Sequence, residues 1–168
     1  MKGKRALTLV ELLLVLTMLA IMAVVGMVAY GSYHFQNLMA AAERISADLK
    51  YVQNLALTTN EWHGADFQSE PINAYHLYLT TGGTDTIIGD PANPNRPFQV
   101  SLADNFPGIN LSGVNIGGGA KVEFNPLGIP YGDKTGAPLA ADGVITLSGA
   151  GTTVTVRIIP ETGRIIIQ

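Results

Sequence analysis

Hydrophobic positions change rhythm along this chain. From Leu12 to Phe35 no Asp, Glu, Lys or Arg interrupts the sequence, a run that reaches the roughly 20 residues a helix needs to cross a bilayer core. Beyond it, Phe35, Leu38, Ala42, Ile45, Leu49, Val52 and Ala56 recur three or four residues apart, which draws one apolar stripe down a helix. Glu43, Arg44, Asp48 and Lys50 fall off that stripe and are expected in water. The two patterns predict one long helix from about Leu7 to Thr59, apolar all round in its first half and on one side in its second. A helix of some 50 residues is about 75 Å long, far more than a bilayer needs. Its second half must therefore pack on the rest of the chain.

After the helix the rhythm shortens. Asn60 to Pro71 is polar and ends in proline, which reads as a loop leaving the helix. Tyr75 to Leu79 then alternates in the strand period, and Pro97 to Leu102, Lys121 to Phe124 and Val144 to Leu147 are further strand candidates. The clearest β signal is at the end. Thr152 to Ile159 and Arg164 to Gln168 are β-branched runs joined by Pro160-Glu161-Thr162-Gly163, a turn whose glycine can take positive φ. Gly89 to Asn95, rich in Pro, Asn and Asp, reads as a loop. The expected fold class is α+β, with the long N-terminal helix packed against a C-terminal antiparallel sheet domain.

Composition narrows the class. The 168 residues fit one modest domain plus an appendage. A formal charge of -3 gives no basic footprint for nucleic acid. There is no cysteine, which excludes disulfides and thiolate metal sites. Lys2, Lys4 and Arg5 precede the apolar run, and positive charge there favours an N-terminus left in the cytoplasm with the remainder outside.

Chemistry concentrates at the start of the helix. In Leu7-Thr8-Leu9-Val10-Glu11-Leu12-Leu13 a lone carboxylate opens an otherwise apolar segment. On insertion scales a mid-bilayer charge costs about 2.5 to 3.5 kcal/mol, so Glu11 calls for a partner. The stretch Lys4-Arg5-Ala6-Leu7-Thr8-Leu9-Val10-Glu11-Leu12 resembles the class III signal of type IV prepilins and type II secretion pseudopilins. That resemblance implies a prepilin leader over 1–6, a transmembrane and assembly helix over 7–33, its amphipathic continuation over 34–60 and a β-rich periplasmic or extracellular head over 61–168. It implies cleavage by the prepilin peptidase between Ala6 and Leu7, N-methylation of Leu7, and pairing of Glu11 with the N-terminal amine of a neighbouring subunit, with the Thr8 hydroxyl nearby. Ala6 stands where the family carries glycine and keeps the residue small.

The β region resembles the C-terminal part of the GspH/FimT family of minor pseudopilins and minor pilins. Phe124-Asn125-Pro126-Leu127-Gly128, Gly143 to Leu147 and the hairpin Val154 to Ile165 with its Thr-Gly-Arg turn carry the likeness. Some members with a Gly-Arg-x-Arg ending bind DNA. Here Gly163 and Arg164 match, but Ile166 replaces the second arginine. Arg157 and Arg164 on facing strands are at most a weak DNA patch, solvated strand arginines being the favoured reading, and nucleic acid is disfavoured as a partner.

Enzyme signatures are missing. His34, His63 and His76 stand in no metalloenzyme spacing, and Glu61-Trp62-His63 reads as a helix-exit capping or packing group. Ser101, Ser112 and Ser148 lack a nucleophile elbow. Gly117-Gly118-Gly119-Ala120-Lys121 lacks the ending of a phosphate loop and reads as a glycine turn before a strand. Asp85, Asp90, Asp104 and Asp133 show no EF-hand spacing. No catalytic residue, metal or cofactor is expected. The resemblance implies a structural subunit of a type II secretion pseudopilus supporting protein secretion, or a type IV pilus minor pilin for adhesion, motility or DNA uptake. Its partners would be the prepilin peptidase, sibling pilins, an inner-membrane platform protein and, before assembly, the inner membrane. Two other readings stay open: a plain secretory signal cleaved near Ala29 to Ser32, and a membrane-anchored periplasmic binding domain that does not polymerise.

Overall fold

The structure is a computed structural model that describes residues 8–68 and 73–168, with backbone alone for 27–32. Helix α1 runs from Leu9 to Thr59 as one element of 51 residues. Thr8, in extended backbone, caps its start. Asn60 ends it in left-handed backbone at φ 59, a conformation asparagine accepts more readily than most residues.

Among the described residues twelve strands follow in chain order: β1 (Trp62–Gln68), β2 (Ala74–Thr81), β3 (Thr84–Ile87), β4 (Gly89–Asp90), β5 (Asn93–Pro97), β6 (Gln99–Ser101), β7 (Asn110–Asn115), β8 (Lys121–Phe124), β9 (Pro130–Tyr131), β10 (Gly143–Gly149), β11 (Thr152–Ile158) and β12 (Ile165–Ile167), with a one-turn helix α2 (Leu102–Asn105) after β6. The first sheet has the order β3-β2-β1-β8-β9, and β6 shares an edge of β2 with β3. The second has the order β12-β11-β10-β7, and β4 and β5 form a small ribbon. All pairings are antiparallel.

The C-terminal half of α1 lies across both main sheets, touching β1 and β8 of one and β10, β11 and β12 of the other. Leu38, Ala42, Ile45, Leu49, Val52 and Ala56 of the predicted stripe are fully buried there, joined by Ala41. They meet Ala65, Leu77, Val122, Phe124, Ile145, Val156 and Ile158 in one core. Phe35 departs from expectation and is 51% exposed, because the stripe starts above the reach of the sheets. Asp48 departs the other way: it was expected in water but is 7% exposed, held by polar partners described below.

The main correction concerns the stretch after the helix. Trp62 to Gln68, read as part of a loop, is β1, the strand between β2 and β8. Its register explains the misreading. His63, Ala65 and Phe67 pair with the half-buried Leu79 and the core residues Leu77 and Tyr75, while Trp62, Gly64 and Asp66 pair with Thr80, Tyr78 and His76 on the opposite face. Polar and small residues on that face hide the alternation. Residues read as the loop Gly89 to Asn95 form most of the β4–β5 ribbon, and the strand expected over Pro97 to Leu102 shrinks to β6 because Ser101 caps α2. Strands over Tyr75 to Leu79, Lys121 to Phe124, Val144 to Leu147 and the terminal hairpin fall where the pattern predicts.

Candidate functional site

The N-terminal helix supplies the first candidate surface. Thr8 Oγ1 accepts from the Glu11 amide at 3.3 Å, and the Leu12 amide donates to the Thr8 carbonyl at 3.1 Å. Glu11 therefore lies in the first turn, where the helix dipole favours a negative charge. From Leu9 to Gly26 the helix has a mean hydropathy of 2.6 and no buried residue. Leu9, Val10, Leu12, Leu13, Met18, Ile21 and Met22 all present more than half their area to the surroundings. An apolar cylinder of this kind needs lipid or other helices around it. The expected cleavage pair Ala6 and Leu7 lies outside the described residues.

A polar joint fixes the head on the helix. The Tyr75 hydroxyl on β2 donates to Asp48 Oδ2 at 2.6 Å, and Arg44 Nε donates to the same oxygen at 2.9 Å. Burial together with the adjacent Asp48 charge pushes the Tyr75 hydroxyl far above the usual phenol range. Arg44 also lies 6.0 Å from the centre of the Phe98 ring. One turn further along, Gln53 Nε2 donates to the Gly128 carbonyl at 2.9 Å and to the Thr162 carbonyl at 3.3 Å. One amide thus holds a turn beside each sheet. Gly128 and Gly163 have φ of 76 and 63, and a Cβ at Gly163 would collide with Gln53, the Gly128 carbonyl and Phe124. The Thr-Gly-Arg turn requires its glycine both for φ and for this close approach.

The two arginines of the hairpin do not form a free patch. Arg157 pairs with Asp142 through Nη2 and donates to Gln168 Oε1 at 2.9 Å through Nη1. Arg157 stands opposite Ile166 in the β11–β12 register, and Arg164, just before β12, is exposed. Phosphate contacts would have to displace a carboxylate from Arg157, which weakens the electrostatic case.

The first sheet carries a second polar network on the face turned away from α1. Glu123 Oε1 lies 3.2 Å from the Tyr78 hydroxyl and 3.0 Å from Thr80 Oγ1, which is also 2.9 Å from Asp85 Oδ1. Lys121 Nζ donates to Asp85 Oδ2 at 2.7 Å and lies 3.8 Å from Asp66. The hydrogen bond to Asp85 holds the Lys121 ammonium above the ordinary lysine range, although burial works against it. Gly64 makes the arrangement possible, since an ideal Cβ there would lie 2.5 Å from the Tyr78 ring and hydroxyl and 2.6 Å from the Val122 carbonyl. Sequence reasoning missed this network. The odd spacing of Tyr75 and Tyr78, which sends two hydroxyl-bearing rings to opposite faces of one strand, was the available signal.

Other candidates take structural roles. His63 is buried on β1 with Nε2 3.0 Å from Thr59 Oγ1, and burial depresses its pKa more than the Glu61 charge raises it. Ser101 caps α2, and Ser112 donates to the Thr146 carbonyl at 3.2 Å. Gly117 and Gly118 have φ of 62 and 90 in the tight turn closed by Ile116 and Gly119 before β8. Asp90 and Asp133 accept from their own turns at Ala92 and Thr135, and Ser101 and Asp104 serve the cap of α2. Among the described residues no three His, Asp or Glu side chains are arranged to hold a metal ion.

A long N-terminal helix that is bare at one end and packed on an antiparallel sheet domain at the other is the pilin-like fold. Solved structures bear this out for the fold of minor pilins and minor pseudopilins. The minor pseudopilin EpsH from the type II secretion system of Vibrio cholerae superposes with a TM-score of 0.57 at 12% identity, over 79% of this chain and 96% of that one. A second crystal structure of EpsH gives 0.56 at 12% identity, over 79% and 93%. The type IV minor pilin FimU from Pseudomonas aeruginosa strain PAO1 gives 0.52 at 15% identity, over 79% and 89%. No protein-family model matches the chain, and no curated protein sequence does.

Proposed function

We propose that this chain is a structural subunit, a minor pseudopilin or minor pilin, that enters a filament through its N-terminal helix and supports protein secretion. The observation that carries the reading is the bare apolar cylinder Leu9–Gly26, headed by Glu11 and continuous with the helix that carries the head. A simple anchor has no use for a carboxylate in its first turn beyond the small helix-dipole gain. A subunit that packs helix on helix does, because Glu11 can neutralise the α-amine of a staggered neighbour where both charges leave water.

In this proposal the prepilin peptidase cuts between Ala6 and Leu7 on the cytoplasmic side, and Leu7 is then N-methylated. The chain waits as a single-pass inner-membrane protein with its head in the periplasm, recruits an inner-membrane platform protein and joins sibling pilins. Its role is structural rather than catalytic. The engagement of Arg157 by Asp142 speaks against DNA uptake as the task of the hairpin.

Crosslinking tests the proposal. The chain has no cysteine, so a cysteine placed at Leu13 is its sole thiol and can be paired with cysteines in the first helical turns of co-expressed pilins. Assembly predicts crosslinks from Leu13 to those helices and a loss of most of them in Glu11→Ala, with membrane insertion unchanged. A Glu11→Ala protein that crosslinks as well as the parent would refute charge pairing. No crosslink from either protein would leave a non-polymerising anchor as the better description.

A further inference from the structure

The outer polar network opens into a cavity of about 140 Å³ lined by Thr80, Asp85, Glu123, Asp133, Lys134 and Thr135, with Gly83 at its rim. Its inner wall is buried and acidic. Glu123 is 3% exposed, and its Oε2 accepts no hydrogen bond among the described residues. Asp85 and Asp133, both exposed, form the outer wall.

Counting protons shows what the site lacks. Lys121 serves Asp85 Oδ2. That leaves Asp85 Oδ1 and both oxygens of Glu123, and the donors placed on them are the hydroxyls of Tyr78 and Thr80, while Lys134 lines the cavity but lies over the Trp62 ring. Each hydroxyl has one proton, so Thr80, within reach of both carboxylates, can serve one of them. Three carboxylate oxygens share two protons. A buried carboxylate oxygen without a donor is a costly arrangement. A cation with N–H groups that enters the cavity would supply the donor that Lys134, held against the Trp62 ring, does not give Glu123 Oε2. A divalent metal fits less well, because no three carboxylate or imidazole groups among the described residues are arranged around a common point.

We propose that this cavity is a binding site for a guanidinium or ammonium head group, with Glu123 and Asp133 as its principal acceptors. A guanidinium is small enough for the cavity, and its fork of N–H groups matches two carboxylates at once. The site lies on the sheet face away from α1 and does not depend on the filament reading above.

The molecule contains its own reporter. Lys134, which lines the cavity, has Nζ 5.8 Å from the centre of the ring of Trp62, the only tryptophan in the chain. A cation entering the cavity repels Lys134 from that ring. The full chain in mild detergent is titrated with methylguanidinium chloride at millimolar concentration and matched ionic strength, with neutral methylurea as the control and far-UV circular dichroism to exclude unfolding. A saturable change in Trp62 emission with methylguanidinium, absent with methylurea, is expected. Glu123→Gln should weaken the response about ten-fold or more. Asp133→Asn, on an exposed turn whose acceptor it keeps, should weaken it about five-fold without affecting the fold. A short arginine-containing peptide that binds more tightly than methylguanidinium assigns the head group to a protein partner, and equal binding assigns it to a free amine. A linear, unsaturable response, an equal response to methylurea, an Asp133→Asn protein that binds as the parent does, or saturation by calcium chloride in place of methylguanidinium overturns the proposal.

Discussion

Replacing Asp48 with alanine should loosen the head from its helix by about 2 kcal/mol, and the parts of that figure come from separate atoms. Asp48 Oδ2 receives the Tyr75 hydroxyl at 2.6 Å and Arg44 Nε at 2.9 Å. Tyr75 is buried, so its hydroxyl would lose its acceptor in a site water does not reach, at about 1 to 3 kcal/mol. The Arg44 side chain is 49% exposed, so solvent screens its pairing and the loss there is under about 1 kcal/mol. Freeing Asp48 from a buried position returns part of the total. Urea titration of the full chain in mild detergent, followed by Trp62 fluorescence, measures the change. The decisive quantity is the coupling between Asp48→Ala and Tyr75→Phe in a double-mutant cycle, since removing both partners leaves no orphaned hydroxyl. We expect about 1 to 2 kcal/mol of coupling. A coupling within about 0.3 kcal/mol of zero would show that Asp48 does not serve as the acceptor for Tyr75.

Three further outcomes follow from local geometry. His63 has a folded pKa below its unfolded value, so the unfolded chain binds more protons; stability should be greatest above about pH 6.5, fall as pH drops through that value and level off below the folded pKa, and urea midpoints of a His63→Asn protein should lose that slope. Gly163→Ala should cost more than about 2 kcal/mol, since left-handed backbone and collision with Gln53 and the Gly128 carbonyl act together, whereas Gly151→Ala, at φ 79 with open space around it, should cost about 1 kcal/mol in the same titration. Gly64→Ala should destabilise by about 2 kcal/mol or more and shift the Tyr78 ring resonances, because the Val122 carbonyl cannot retreat as a flexible side chain would.

The parts of the fold legible in the sequence are those whose periodicity reports a single environment. The stripe from Leu38 to Ala56 faces one core, and the terminal hairpin alternates between one core and solvent, so both follow from spacing alone. β1 does not, because its outer face carries Gly64 and Asp66 in service of Tyr78 and Lys121, partners supplied by distant strands. Asp48 was assigned to water for the same reason: its acceptor role is visible only once β2 brings Tyr75 over the helix. The helix was legible from its apolar run and stripe, but Thr8 as its cap was not read, and neither was the buried Glu123, since four separate strands and a loop build its surroundings.

The two sheets are interleaved along the chain. It visits the first through β6, crosses to the second for β7, returns for β8 and β9, and finishes the second with β10, β11 and β12. Neither sheet can close before the other has begun, and the loops to be closed are long. A chain made from its N-terminus leaves the stripe of α1 half bare until the last hairpin arrives, because β11 and β12 cover part of it. Loss of the final few residues would therefore leave a sticky, protease-sensitive intermediate rather than a slightly shorter head. Completion of this fold is timed by its last hairpin, however much of its purpose is carried by the helix at the other end.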